Sequence, residues 1–253
     1  MRLTVRSDDG GQIEFECADT LVSRQTCTSI LRGETYPFLP FVDDVRVAFD
    51  VGANCGAASV HLARHYPGAV VHAFEPGREA RSYLERNVAG LGNVRVHPIG
   101  LHSVDRDARL YRGDGDLGMS SVIRREVNLD ESEPVQLRAA GGWASEHGID
   151  RIDILKVDVE GCEVEVLTSL TALLPTVQVL FVEYDSREAR KAIGRLLDAT
   201  HELYVGRMLL DQGECVYLRT DLAQLDAATE HLRQSLRRQR GRRRREATGA
   251  RSG

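Results

Sequence analysis

Val47-Ala48-Phe49-Asp50-Val51-Gly52-Ala53-Asn54-Cys55-Gly56 is the stretch on which the fold turns. Val47 to Val51 is a short apolar run of the length of a buried strand. It breaks into Gly52-x-Asn54-x-Gly56 and continues through Ala57 to Arg64, which reads as a helix stopping before Pro67. A ligand must approach the backbone at such a turn, so its side chains must be small or tolerate positive φ. Gly does both, and Asn enters the left-handed region more readily than most residues. A second apolar run, Val70-Val71-His72-Ala73-Phe74, ends at Glu75, 19 positions after Gly56. An acid about 20 residues past the glycines of a doubly wound fold accepts hydrogen bonds from ribose hydroxyls. A structural turn with a chance acid would leave the same letters. Strand, turn, helix and spaced acid together point to adenosine.

The type of adenosine ligand follows from the turn. A dinucleotide fingerprint needs an open second glycine for the pyrophosphate. Here that place is Asn54, and position 57 is Ala. The pattern suits S-adenosyl-L-methionine, which has no phosphate. A nicotinamide cofactor, and with it an oxidoreductase, is the alternative.

Outward from this unit, strands and helices alternate. Arg78 to Leu91 is a helix with Ala80, Tyr83, Leu84, Val88 and Leu91 on one face, and residues 94–99 form a strand. Short extra strands are expected at 108–111 and 135–138. The glycine-rich segment 113–121 between them is either a lid over a site or a plain surface loop. Ile152 to Val157 is a central strand, Glu163 to Leu174 a helix, Val177 to Glu183 a further strand, and 201–205 with 215–218 a closing hairpin. Five strand-helix alternations and a hairpin predict an α/β, Rossmann-like, mostly parallel seven-stranded sheet. Before it, Leu3, Val5, Ile13, Phe15 and Cys17 alternate around Asp8-Asp9-Gly10-Gly11, a hairpin signal, and 19–32 read as a helix. The aromatic connector Tyr36 to Phe41 either packs over the sheet edge or walls a substrate. The divisions expected are an extension at 1–45, a cofactor-binding domain at 46–220, and a C-terminal helix with an arginine-rich tail at 221–253. Leu222, Leu225, Leu232 and Leu236 mark one face of that helix.

Lys156, Asp158 and Glu160 alternate along the central strand and should project together. Central parallel strands are normally apolar on both faces, so this charged row is either an internal Lys156–Asp158 ion pair with a solvated Glu160, or a site.

The chain has 253 residues, 42% of them apolar, and a formal charge of −5. That is enough for one substantial α/β domain. From Arg233 onward there are nine arginines and one glutamate; with this tail at +8, the remainder carries −13. Such a tail is either a disordered, solubilising segment or a contact for an anionic surface, which would make the protein a non-catalytic adaptor. No aromatic interleaving or nucleic-acid module accompanies it, so sequence-specific nucleic-acid binding is not expected. No apolar run reaches membrane-spanning length, no signal-peptide core opens the chain, and five cysteines lack C-x-x-C spacing. Free thiols in a cytoplasmic protein are expected. His61 and His65 are four apart on one helical face, but the sequence places no third ligand. Surface histidines, no metal site, and activity resistant to chelators are expected.

Together these motifs resemble the FkbM family of S-adenosylmethionine-dependent methyltransferases. The resemblance is carried by Phe49 to Gly56, Ala73-Phe74-Glu75-Pro76, Asn87, Met119-Ser120-Ser121 and, most specifically, Ile152 to Glu163. It covers about residues 45–185. It implies a methyltransferase, typically an O-methyltransferase acting on hydroxyls of secondary metabolites or glycans, so a small-molecule or glycan acceptor is expected. One departure stands out: Ala139-Ala140-Gly141 occupies the place of the family's usual Thr-Leu-Asp, removing a helix-capping or substrate-side carboxylate. The candidate bases for a hydroxyl proton are, in order, Asp158, Glu160 and Glu183. Glu75 is expected to bind ribose, Gly52, Asn54 and Gly56 to contact the nucleoside and methionine parts, Asp50 to hold the loop or the ammonium through water, and Asp158 to share in cofactor binding.

Overall fold

The computed structural model describes residues 1–112, 120–123 and 132–234. The arginine-rich tail and residues 113–119 of the glycine-rich loop lie outside the described residues.

The chain opens with β1 (Arg2–Arg6) and β2 (Gln12–Glu16), an antiparallel hairpin, followed by α1 (Leu21–Leu31), whose N-terminus is capped by the Thr20 side chain. The βα units then run β3 (Val47–Val51), α2 (Ala57–His65), β4 (Val70–Phe74), α3 (Arg78–Val88) and β5 (Val94–His97). Next come β6 (Gly100–His102), β7 (Arg106–Tyr111), β8 (Ser132–Ala139) and α4 (Ala140–Glu146). The chain continues with β9 (Ile154–Val157), α5 (Glu163–Ser169), β10 (Val179–Tyr184), α6 (Arg187–Leu197), β11 (His201–Met208), β12 (Gly213–Arg219) and α7 (Thr220–Ala223).

The main sheet has seven strands in the order β11-β12-β10-β9-β3-β4-β5; β11 and β12 are antiparallel to their neighbours and the rest are parallel. Alternate strand residues feed two cores. Ala48, Val71, Ile154 and Phe181 pack with α1, α2 and α3 on one face. Phe49, Phe74, Leu155 and Leu180 pack with α4, α5 and α6 on the other. The N-terminal hairpin is part of the first core, contributing Val5 and Phe15.

Several expectations change. The strand at 94–99 ends at His97, and the chain enters β6, which pairs parallel with β8 in a separate three-stranded sheet, β6-β8-β7. The helix starting at Glu163 stops at Ser169, because Leu170 caps it and a 3₁₀ turn with Pro175 follows. The expected last helix is interrupted at Gln224 and Leu225, so Leu225 is exposed while Leu222 is buried. Where the family's Thr-Leu-Asp is missing, α4 has no side-chain cap of its own. Asp105 Oδ1 accepts from the Ala139 N–H at 2.6 Å and Ser169 Oγ from that of Gly141 at 3.0 Å. Distant residues thus supply the hydrogen bonds that an N-cap would give. Among the described residues no helix is long and apolar enough to cross a membrane.

Candidate active site

Strand order reverses between β3 and β9: β4 and β5 extend one way, β9 and β10 the other. Ligands of such sheets sit in the crevice that this reversal opens beyond the strands' carboxyl ends. A cavity of about 310 Å³ lies there, bordered by Gly52, Glu75, Asp158 and Glu183 from the ends of β3, β4, β9 and β10. That volume is at the lower end of ordinary ligand sites. Thr26 and Cys27 of α1 form one wall; His102, Leu110 and Leu137 of the small sheet form another.

The turn after β3 is built for close approach. Gly52 has φ +81°, and a Cβ there would lie 1.8 Å from the Asp158 carbonyl oxygen. Its N–H and that of Ala53 donate to the Phe74 carbonyl at 3.1 and 3.0 Å. Asn54, at φ +49°, directs its N–H to Glu75 Oε2 at 2.8 Å, while Gly77 N–H reaches Oε1 at 2.7 Å. Burial, opposed by these two hydrogen bonds, pushes the Glu75 carboxyl up to about 7. Each oxygen has a further lone pair, so hydroxyl donors entering the cavity would satisfy a group that water has largely left. Asn87, one of the residues that carry the resemblance, donates to the carbonyls of Cys55 and Glu16, both at 2.8 Å, and so ties this turn to β2.

Lys156 does not face the cavity. Its Nζ donates to the Gly52 carbonyl at 2.6 Å and lies 3.2 Å from Asp50 Oδ1 and 3.6 Å from Asp158 Oδ2. Burial alone would depress its pKa, but Asp50 and Asp158 outweigh it and raise the value. Asp50 is fully buried and also accepts from Ser59 Oγ at 2.6 Å. It supports the turn from beneath and has no open face for the water-mediated ammonium contact expected of it. Gly56 likewise does not line the cavity; it is the left-handed N-cap of α2, packed against Leu84.

β9 ends at Val157, so the row of three charges does not continue along one strand face. Glu160 has φ +57°, and its carbonyl accepts from Ser121 Oγ at 2.6 Å. Glu163 Oε1 accepts from the Gly161 N–H at 2.9 Å, fixing this turn. Asp158, Glu160 and Glu183 nevertheless all border the cavity, and Glu214 joins them. Glu214 stands directly opposite Glu183 in the β10–β12 register. Like charges across a ladder repel. Burial, then Asp158, Glu160 and Glu214, push the Glu183 carboxyl up to about 8. Tyr36 of the aromatic connector is buried, with its hydroxyl 3.5 Å from Asp158 Oδ2, so the connector adjoins the site as well as the core. Glu214 was missed by sequence reasoning, and Glu163 was named there only as a helix start and within the family segment, without a role. The pairing of β12 against β10, once the hairpin register is set, is the signal that places Glu214.

Residues 50–243 match the family model described as the methyltransferase FkbM domain. NoeI, a 2-O-methyltransferase of Sinorhizobium fredii, is 27% identical over 158 residues, covering 56% of this chain and 64% of its own length. The methyltransferase sdnD of Sordaria araneosa is 32% identical over 149 residues, covering 47% of this chain and 58% of its own. The chain spans less than two thirds of the length of these curated relatives. Among solved structures, the putative methyltransferase yhhF from Escherichia coli aligns with a TM-score of 0.48 at 14% identity, over 87% of this chain and 98% of that one.

Proposed function

This chain belongs to the FkbM methyltransferase family, and on that footing we propose that it transfers a methyl group from S-adenosyl-L-methionine to a hydroxyl of a small molecule, secondary metabolite or glycan. The observation that carries the reading is the buried Glu75 carboxylate, joined to the Gly52–Gly56 turn through the Asn54 N–H at 2.8 Å, at the edge of a cavity with four further carboxylates. Glu75 suits the ribose hydroxyls, and the Gly52 backbone leaves room for the rest of the nucleoside and the methionine portion. Bound there, the cofactor supplies a methyl group on a positively charged sulfur, already electrophilic and matched to acidic surroundings.

The protein's own tasks are then to align the acceptor oxygen and to take its proton. Asp158, Glu160 and Glu183 are the candidates. Asp158 is already engaged, its Oδ2 lying 3.6 Å from Lys156 Nζ. Glu183 is the better-tuned base, because a carboxyl titrating near 8 retains the proton it takes at neutral pH. A relative named as a 2-O-methyltransferase supports a hydroxyl acceptor. Five buried free cysteines fit a reducing compartment, for which the cytoplasm is the simplest assignment.

The test has two arms. Calorimetry of the full chain should give saturable binding of S-adenosylmethionine and none of NADH or NADPH. Incubation with methyl-labelled cofactor and a panel of hydroxyl-bearing glycans and metabolites should give a labelled ether. Binding of a nicotinamide cofactor alone, or transfer confined to nitrogen acceptors, would overturn the reading.

A further inference from the structure

The β1–β2 turn meets the outer end of α2 at Asp8, His61 and His65, away from the cavity. Helical spacing offered the two histidines; the fold supplies the carboxylate. It also buries His61 to 3% exposure, against the surface position expected for it. One ligand atom from each of the three residues lies within 4.8 Å of the others. Asp8 Oδ1 is 2.8 Å from His65 Nε2 and 4.0 Å from His61 Nδ1. These separations bracket the roughly 3.3 Å kept by two ligand atoms around a tetrahedral zinc ion with metal–ligand bonds of about 2.0 Å. Small movements of the Asp8 side chain, which is partly exposed on a turn, would equalise them.

We propose that Asp8, His61 and His65 form a binding site for a zinc-type divalent transition-metal ion, which pins the N-terminal hairpin to α2. Two imidazoles and one carboxylate suit such an ion and suit magnesium or calcium poorly. Neighbouring groups confine the three side chains. Phe38 stacks on His65 at 4.6 Å between ring centroids, restraining it and shielding it from water. Asp9 pairs with Arg64 at 2.7 Å, removing an adjacent positive charge from competition for Asp8. Gly33, at φ +65°, carries the chain after α1 close to this carboxylate: a Cβ there would lie 2.6 Å from Asp8 Oδ2 and would displace the Asp8 side chain.

A plain Asp8–His65 hydrogen bond is the competing account. It leaves unexplained why a buried ring nitrogen faces the same carboxylate oxygen across 4.0 Å. Because the three residues do not line the cavity, the ion would act on stability and on the α1 wall of the site, not on the transferred group.

The full chain, stripped with chelator and desalted, would be titrated with Co²⁺ alone. One equivalent should give visible d–d bands of low-symmetry nitrogen and oxygen ligation, displaced by Zn²⁺. Zn²⁺ at a hundredfold excess over its Kd should raise the Tm by roughly 5–10 °C. His65→Ala and, separately, Asp8→Asn should weaken binding more than roughly 100-fold, beyond the effect of losing an outer partner. Calorimetric affinity for S-adenosylmethionine serves as the check that each variant is folded. Absence of saturable one-to-one binding would overturn the site. So would unchanged metal affinity in both variants, or strong sulfur-to-cobalt charge transfer, which would move the ion to the buried cysteines.

Discussion

Glu183 shows how a single residue acquires chemistry from its neighbours. Its carboxyl is half-buried on β10, opposite Glu214 and near Asp158 and Glu160, and is pushed up to about 8 by burial and by these charges. If it takes the acceptor proton it must be ionised first, so kcat/KM should rise with pH and level off above about 8. The rise should be displaced downward when the cationic donor is bound, because positive charge favours the carboxylate. Glu183→Gln should abolish the inflection and lower kcat by roughly 10²- to 10⁴-fold, the usual worth of a general base. A pH–rate profile of both proteins checks this, and an unchanged inflection in the variant would remove the role from Glu183. Glu75 makes a different claim. Each hydrogen bond from a ribose hydroxyl to a charged acceptor contributes about 1.5–3 kcal/mol, so Glu75→Ala should weaken S-adenosylmethionine binding by at least roughly 10- to 100-fold in calorimetry. The positions of Gly52, Asn54, Glu75 and Asp158 were legible because each follows directly on its own strand, and chain order alone carries it to the sheet edge. Glu214 was not legible, since nothing local to residues 213–219 says which strand they pair with or in what register.

At the level of elements, the βα crossovers were readable because apolar runs and turn residues are local signals. The β6-β8-β7 sheet was only half readable. β6 has three residues, and its partner β8 lies more than thirty positions away, so the pairing has no local trace. The charged row on β9 was read as two alternatives, and the fold divides it between them. Lys156 and Asp50 are an internal pair below the turn, while Asp158 belongs both to that pair and to the cavity. The pair joins β9 to β3 at the place where the crevice opens, and Lys156 also satisfies the Gly52 carbonyl. Lys156→Met would leave Asp50 buried and uncompensated, a loss of about 3–5 kcal/mol. A Tm drop of roughly 10 °C is expected, with weakened cofactor binding because the turn loses its support. Adding Asp50→Asn should restore much of the Tm but not the affinity. Denaturation of the single and double variants separates the two effects. Equal Tm losses in both would mean that the packing of the lysine stem, rather than its charge, holds the turn.

For the whole molecule, the same buried groups set how stability varies with pH. Glu75 and Glu183 titrate at about 7 and about 8 in the folded chain, against 4.5 when unperturbed. Raised carboxyls bind more protons folded than unfolded, so the stability they contribute is complete below pH 4.5 and is lost as pH rises through 7 and 8. His72 and His97 oppose them. Burial first, then like-charged neighbours, lowers both to about 4 from 6.5, so their contribution is complete above 6.5 and lost as pH falls toward 4. Between pH 4.5 and 6.5 the two sets offset each other; above 6.5 only the carboxylate loss continues. The cofactor-free chain should therefore hold its Tm roughly level between pH 4.5 and 6.5 and lose several degrees by pH 8.5. The net charge of −5 near neutrality works in the same direction as it grows more negative. Glu183→Gln should flatten the upper part of this decline, and saturating S-adenosylmethionine should do the same in the unaltered chain by placing positive charge beside the carboxylates. Thermal denaturation from pH 5 to 9, with and without cofactor, measures all three curves. A Tm that keeps climbing to pH 8 in the cofactor-free chain would mean that the carboxylates around the cavity are ionised at little cost. The cavity's preference for a cationic ligand would then lose its physical basis.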